Sequence, residues 1–279
     1  MVYPLLNLPL STLHGDFAIG CPTSTSKRPR RGDRSESATN QPGTPNLSTV
    51  EADAEGRVVY VDLREAVQNE HFAILWAGLV ANQPTERSLS RLTPINRGRV
   101  LVEIEDGAIP AHFSVWLRAA LVSKATGPAL RRLFAPLGSR LRLLGGQWIV
   151  PRATEYEPAI AAQAPHTDVD VKGEVVSIAI NIAGNEMGTL IDAKARIGDD
   201  GSVVDGCGFG RAATSVFAYD TGAVHGGPGV ARVDGPYPRY FVERAFFLLS
   251  AYDLAPNRIA QHRRDNGLHG RADLVVDVS

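Results

Sequence analysis

Two stretches of the chain hold residues whose types and spacing suit metal chemistry. In PHTDVDVKGEVVSIAIN, residues 165–181, His166 and Asp168 stand two positions apart just ahead of an apolar run. Side chains two apart in an extended segment share a face, so this imidazole and this carboxylate can reach one point in space. A third donor has to come from another strand, and His225, in AVHGGPG after the strand-like ATSVFAYD, is the natural candidate. Two imidazoles and one carboxylate form the ligand set that leaves half of an octahedral iron(II) open to substrate. The same triplet spacing occurs at His14-Gly15-Asp16, but no strong strand run follows it and a polar segment is next in line, so it is set aside. Taken singly, His166 also reads as a hydrogen-bonded structural histidine and Asp168 as a turn cap. Asp170 and Asp220 read as solvated turn residues. His71, His112, His262 and His269 lack partner spacing, and the glycines of DGCGFGR lack the strand and helix of a phosphate-cradling loop.

One cation stands where it would matter. Arg244 opens RAFFLLSAY, the last strong strand run, where a guanidinium can enter a barrel mouth near the metal and grip a carboxylate bidentately.

The elements that must position these groups change character along the chain. Residues 22–56 are rich in Ser, Thr, Pro, Gly and charge and nearly empty of large apolar side chains, so residues 1–56 are expected to be mostly a disordered tail. Its basic cluster, from Lys27 to Arg34, reads as a solvated run. Residues 57–279 are expected to form a single domain. RVVYVDL reads as a strand, and Asp62 with Glu65 suggests a capping box for one helix through LREAVQNEHFAILWAGLVANQ. LVEIEDGAIP reads as a strand ending in a turn, and AHFSVWLRAALVSKA and PALRRLFAPLG as two further helices. From residue 141 onward the runs are short, rich in β-branched and aromatic residues, and separated by Gly, Asp, Asn and Pro. Helices followed by strands predict an α+β fold, a β-barrel or sandwich with the helices packed outside.

Composition narrows the function classes. A chain of 279 residues that is 44% hydrophobic can bury a substantial core. A formal net charge of −1 sets up no field toward nucleic acid or an anionic membrane. The two cysteines, Cys21 and Cys207, build neither a disulfide framework nor a Cys-based zinc site. With no long apolar run and no secretory leader pattern, the expectation is a cytoplasmic protein with no nucleic-acid or membrane partner. No oligomeric state is assigned.

With these residues assembled, the chain resembles the Fe(II)/2-oxoglutarate-dependent dioxygenases, in layout most like the prolyl-hydroxylase type. The resemblance covers roughly residues 141–254 and rests on four positions: His-x-Asp on an early core strand, a distal His, and a basic residue opening the next strand. It implies a double-stranded β-helix core of the jelly-roll or cupin type, about 141–254, with the N-terminal helices outside. It implies His166, Asp168 and His225 as catalytic iron ligands and Arg244 as the residue that binds the far carboxylate of 2-oxoglutarate. Arg239, in YPRYFVER, competes for that role or for the other carboxylate. The implied cofactors are Fe(II), 2-oxoglutarate and O2. The implied reaction is oxidation of a small-molecule metabolite or amino-acid-like substrate, hydroxylation by default, with succinate and CO2 as co-products. Substrate contacts are expected near Gln147, Trp148 and Arg152 and in the long loop after His225. Two other readings stay open: a metal-dependent oxidase or hydrolase in which Arg244 binds the substrate's own carboxylate, and a non-catalytic β-barrel binding module.

Overall fold

The computed structural model describes residues 50–84, 99–102, 108–153, 163–169, 171–183, 190–206, 210–211, 216–227, 239–240, 242–251 and 274–277. Strand β1 (Val50–Ala52) pairs with β2 (Val58–Asp62), so strand structure begins inside the stretch whose composition marks it as tail. The reason is local. Asp53 accepts the Arg57 N–H at 2.8 Å and its Nε at 2.8 Å, closing a turn that folds Val50 back onto Val61.

The helix expected over residues 63–83 is broken. A 3-10 turn, Arg64–Val67, precedes α1 (Glu70–Asn82). Asn69 makes the break: its Oδ1 accepts the Phe72 N–H at 2.9 Å while its Nδ2 donates to the Ala66 carbonyl at 2.8 Å. Asp62 accepts from the Arg64 backbone and Nε rather than forming a box with Glu65. Strand β3 (Arg99–Val102) then leads to α2 (Ile109–Val122) and α3 (Gly127–Phe134). No helix among the described residues is long and apolar enough to cross a membrane.

The remaining strands are β4 (Arg140–Ala153), β5 (Val175–Ala183), β6 (Leu190–Asp192), the hairpin β7 (Arg196–Ile197) and β8 (Val203–Val204), β9 (Gly210–Arg211), β10 (Val216–Asp220), β11 (Val224–Gly226), β12 (Arg239–Tyr240), β13 (Val242–Ser250) and β14 (Leu274–Asp277). The large antiparallel sheet has the order β1-β2-β10-β5-β13-β4-β12, with β3 and β14 also paired to β4, and the small one has the order β11-β6-β9. After β5 the chain crosses to the small sheet for β6 and β9, returns for β10, crosses again for β11, and returns for β13. Ile191 of the small sheet packs against Ala179, Phe217 and Tyr219 of the large one, so the two sheets face each other. This is an α+β double-stranded β-helix with helices on the outer face of the large sheet.

Both faces of the large sheet are covered, which is why all nine residues of β13 are buried. The strand period of two sorts them into two groups. Val176, Ile178, Ile180, Val242, Phe246 and Leu248 join Phe113, Trp116 and Leu130 in the core under the helices, where Phe246 stacks on Phe113 at 4.0 Å. Val175, Ala245, Phe247 and Leu249 face the barrel interior, with Val169.

Candidate metal centre

His166 and His225 are brought together by backbone. Each donates its N–H to the other's carbonyl, at 2.8 and 2.9 Å, forming an isolated antiparallel bridge that extends the small sheet past β11. Gly226 permits the approach, because a Cβ there would lie 2.8 Å from the Gln163 carbonyl oxygen. Asp168 is anchored by its own N–H to the Thr221 carbonyl at 3.0 Å. Donor atoms of His166, Asp168 and His225 thereby fall within 4.8 Å of one another.

The side-chain geometry separates a metal site from a salt-bridge cluster. His166 Nε2 lies 3.4 Å from Asp168 Oδ1 and His225 Nε2 lies 3.3 Å from Oδ2. Charge-assisted N–H···O bonds are about 2.7–2.9 Å, whereas neighbouring donors each about 2.1 Å from one ion stand roughly 3.0–3.4 Å apart. The opposite ring nitrogens set the tautomers. His166 Nδ1 meets the Ala164 carbonyl at 2.8 Å, and His225 Nδ1 meets the Ala223 carbonyl at 2.9 Å. A carbonyl only accepts, so each Nδ1 carries the proton and each Nε2 turns a lone pair toward Asp168. Two lone pairs and a carboxylate facing one centre repel unless a cation joins them, and a divalent ion of the transition series fits that donor set.

Burial is uneven across the set. The His225 side chain is 4% exposed, while those of His166 and Asp168 keep 30% and 28% of their surface, so the centre is walled behind and open in front. Without an ion, burial pushes the Asp168 carboxyl up, but hydrogen bonds and positive charge from His166 and His225, once their Nε2 atoms carry protons in place of the ion, outweigh it and hold it well below the usual carboxylate range. The back wall includes Tyr219, whose ring meets the His225 ring edge-on at 5.0 Å. Burial first, then the charges of Asp168 and Glu243, push that phenol well above its ordinary value.

Arg244 does not arrive as expected. Arg244 shares the alternation of Val242 and Phe246, which turns it away from the barrel mouth and into the core under the helices. Its guanidinium lies 5.3 Å from the Trp148 ring centroid and 5.0 Å from that of Phe246, and the residue is 2% exposed. Its neighbours Glu243 and Ala245 take the opposite alternation in β13, and both are buried. Trp148 is likewise fully buried on the helix side, so it is a core residue and not a substrate contact. Arg239 lies on β12. It pairs with Ala153 and Tyr240 with Arg152 on β4, and its side chain lies outside the described residues.

The side chains of Gln147 and Arg152 lie outside the described residues, as do the loop after His225, the His14-Gly15-Asp16 triplet, both cysteines, His262 and His269. Reading the sequence missed Tyr219, Glu243 and Asp220. Asp220 is not solvated but 4% exposed. For Tyr219 and Glu243 the signal was parity along β10 and β13, legible once the strand ends were known.

No family model matches the chain, and no curated protein does. Similar solved structures include the non-heme alpha-ketoglutarate-dependent epimerase SnoN from nogalamycin biosynthesis, at 14% identity and a TM-score of 0.37 over 70% of this chain and 79% of that one. EctD from S. alaskensis, solved with 2-oxoglutarate and 5-hydroxyectoine, matches at 15% identity and a TM-score of 0.37 over 71% of this chain and 74% of that one. A Pseudomonas putida prolyl-4-hydroxylase matches at 16% identity and a TM-score of 0.33 over 64% of this chain and 89% of that one. At such values these likenesses decide nothing about this chain; the strand order and the site geometry stand by themselves.

Proposed function

We propose that the protein is a non-haem Fe(II)/2-oxoglutarate-dependent oxygenase acting on a small-molecule metabolite or amino-acid-like substrate. The observation that carries this reading is the donor set itself: two imidazoles with Nε2 turned inward and one carboxylate, at metal-ligand spacing, on the open side of a double-stranded β-helix. When bound, Fe(II) with 2-oxoglutarate and O2 supplies the oxidation, giving succinate and CO2 beside the oxidised substrate. The chain's own share is to hold and to shield. His166, Asp168 and His225 hold the ion, and the carbonyls of Ala164 and Ala223 keep both imidazoles in the ligating tautomer. Tyr219, packed edge-on against His225, closes the back of the site to water. With Arg244 turned into the core, Arg239, whose backbone pairs with Ala153 of β4, is the residue we assign to the far carboxylate of 2-oxoglutarate.

The three ligands by themselves also suit a second reading, a metal-dependent oxidase or hydrolase that takes no 2-oxoglutarate. Anaerobic optical titration of the metal-free protein with Fe(II) and then 2-oxoglutarate separates the two. A chelate charge-transfer band is expected, and Arg239→Ala should weaken the apparent 2-oxoglutarate affinity by more than about a hundredfold, because breaking a buried charge pair costs roughly 3–5 kcal/mol. Fe(II) binding with no 2-oxoglutarate-dependent band overturns the proposal in favour of the second reading.

A further inference from the structure

Two turns present the ligands, and one carboxylate fastens them together. Asp220 ends β10 and is 4% exposed. Its Oδ1 accepts the N–H of Gly222, in its own turn, at 2.8 Å. Its Oδ2 accepts the N–H of Gly173, on the loop that follows Asp168, at 2.7 Å. From there two short lines lead to the ligands. The first runs through Thr221, whose N–H and hydroxyl both donate to the Val175 carbonyl, at 3.0 and 3.1 Å, and whose carbonyl accepts the Asp168 N–H at 3.0 Å. The second runs through Ala223, whose N–H donates to the Asp220 carbonyl at 3.0 Å and whose own carbonyl orients His225. The turns are also in direct contact, since a Cβ on Gly222 would meet Lys172 Cα at 2.8 Å and its N at 3.0 Å.

We propose that Asp220 is a positioning residue for the metal centre: its carboxylate clasps the turn before His225 to the loop after Asp168 and so sets the spacing between these two ligands. The proposal rests on the reading of His166, Asp168 and His225 as metal ligands. A carboxylate accepts at both oxygens, whereas an amide in its place turns one N–H toward a backbone N–H, so Asp220→Asn opens one arm of the clasp while keeping the shape.

The test measures metal affinity of the full-length protein stripped of metal, titrated anaerobically with Fe(II) alone, beside its melting temperature. Loss of a supporting partner around metal ligands typically costs about 10–100-fold in affinity, and that loss is expected for Asp220→Asn. Gly222→Ala should weaken binding in the same direction, because its methyl separates the turns with Asp220 intact, and it carries the test if Asp220→Asn does not fold. Arg244→Ala, which disturbs the core on the other face of the sheet, serves as a destabilised control whose Fe(II) affinity stays at the wild-type value. Folded Asp220→Asn and Gly222→Ala proteins that bind Fe(II) as wild type does overturn the clasp and leave the metal site standing. A wild-type protein that binds no Fe(II) overturns both.

Discussion

Arg244→Ala should destabilise the protein without emptying its site. The guanidinium is 2% exposed and lies over both Trp148 and Phe246, on the face of β13 that meets the helices. A desolvated cation–π contact contributes on the order of 2 kcal/mol. Truncating a long buried side chain to Ala leaves a cavity that typically costs about 2–5 kcal/mol. Together these suggest a loss of roughly 4–7 kcal/mol, and in a domain of this size about 2–4 °C of Tm follows each kcal/mol, so a fall on the order of 10–20 °C is expected. Arg244→Met, which keeps the stem and removes the charge, should recover part of that loss. The assay is a thermal melt followed by circular dichroism, run beside Fe(II) and 2-oxoglutarate titrations of the folded variant. Both affinities should match wild type. A variant with unchanged Tm that no longer binds 2-oxoglutarate would refute the assignment of Arg244 to the helix side.

The other expectations concern the ligands, the chain start and acid. His166→Ala and His225→Ala should each abolish Fe(II) binding while the circular dichroism spectrum stays folded; full activity of either variant would remove that residue from the site. Asp168→Gly should open a coordination position that added azide fills, seen as a new optical band, and substrate turnover at the wild-type rate would mark Asp168 as a turn residue. Extending an N-terminal truncation from Thr49 to Ala52 should lower Tm, since it removes β1 from its pairing with β2, and an unchanged melt would show β1 to be dispensable. The Asp168 carboxyl is held below its ordinary value of 3.8, so the native protein binds fewer protons than the unfolded chain there. The stability this contributes is present above the ordinary value and is lost as pH falls from it toward the depressed one. Metal-free wild type should therefore lose Tm more steeply on acidification than Asp168→Asn. Asp220, whose carboxyl burial pushes up, acts in the opposite sense but is common to both proteins and cancels in the comparison.

Much of the fold was legible without coordinates because strand and helix periods are local properties. Val58–Asp62, Val175–Ala183 and Val216–Asp220 are strands where β-branched and aromatic runs sit between turn residues, and the change of period near residue 141 marks where the helical layer gives way to the barrel. The His-x-Asp pair stood out by its spacing of two, but Asp168 lies in a bend and is placed by its N–H to the Thr221 carbonyl, so the convergence with His225 came from tertiary contacts. Tertiary structure decided the rest. Whether Arg244 faces the interior or the helices depends on how β13 registers against β4 and β5, and a one-residue change in parity moves its guanidinium to the opposite face of the sheet. Asp220 reads as a turn residue in sequence, and its partner Gly173 stands 47 positions away, so only folding could reveal that its carboxylate is buried between two turns. The tautomers of His166 and His225 likewise depend on carbonyls whose directions the backbone bridge between the two histidines sets, and that bridge exists only once distant segments have paired.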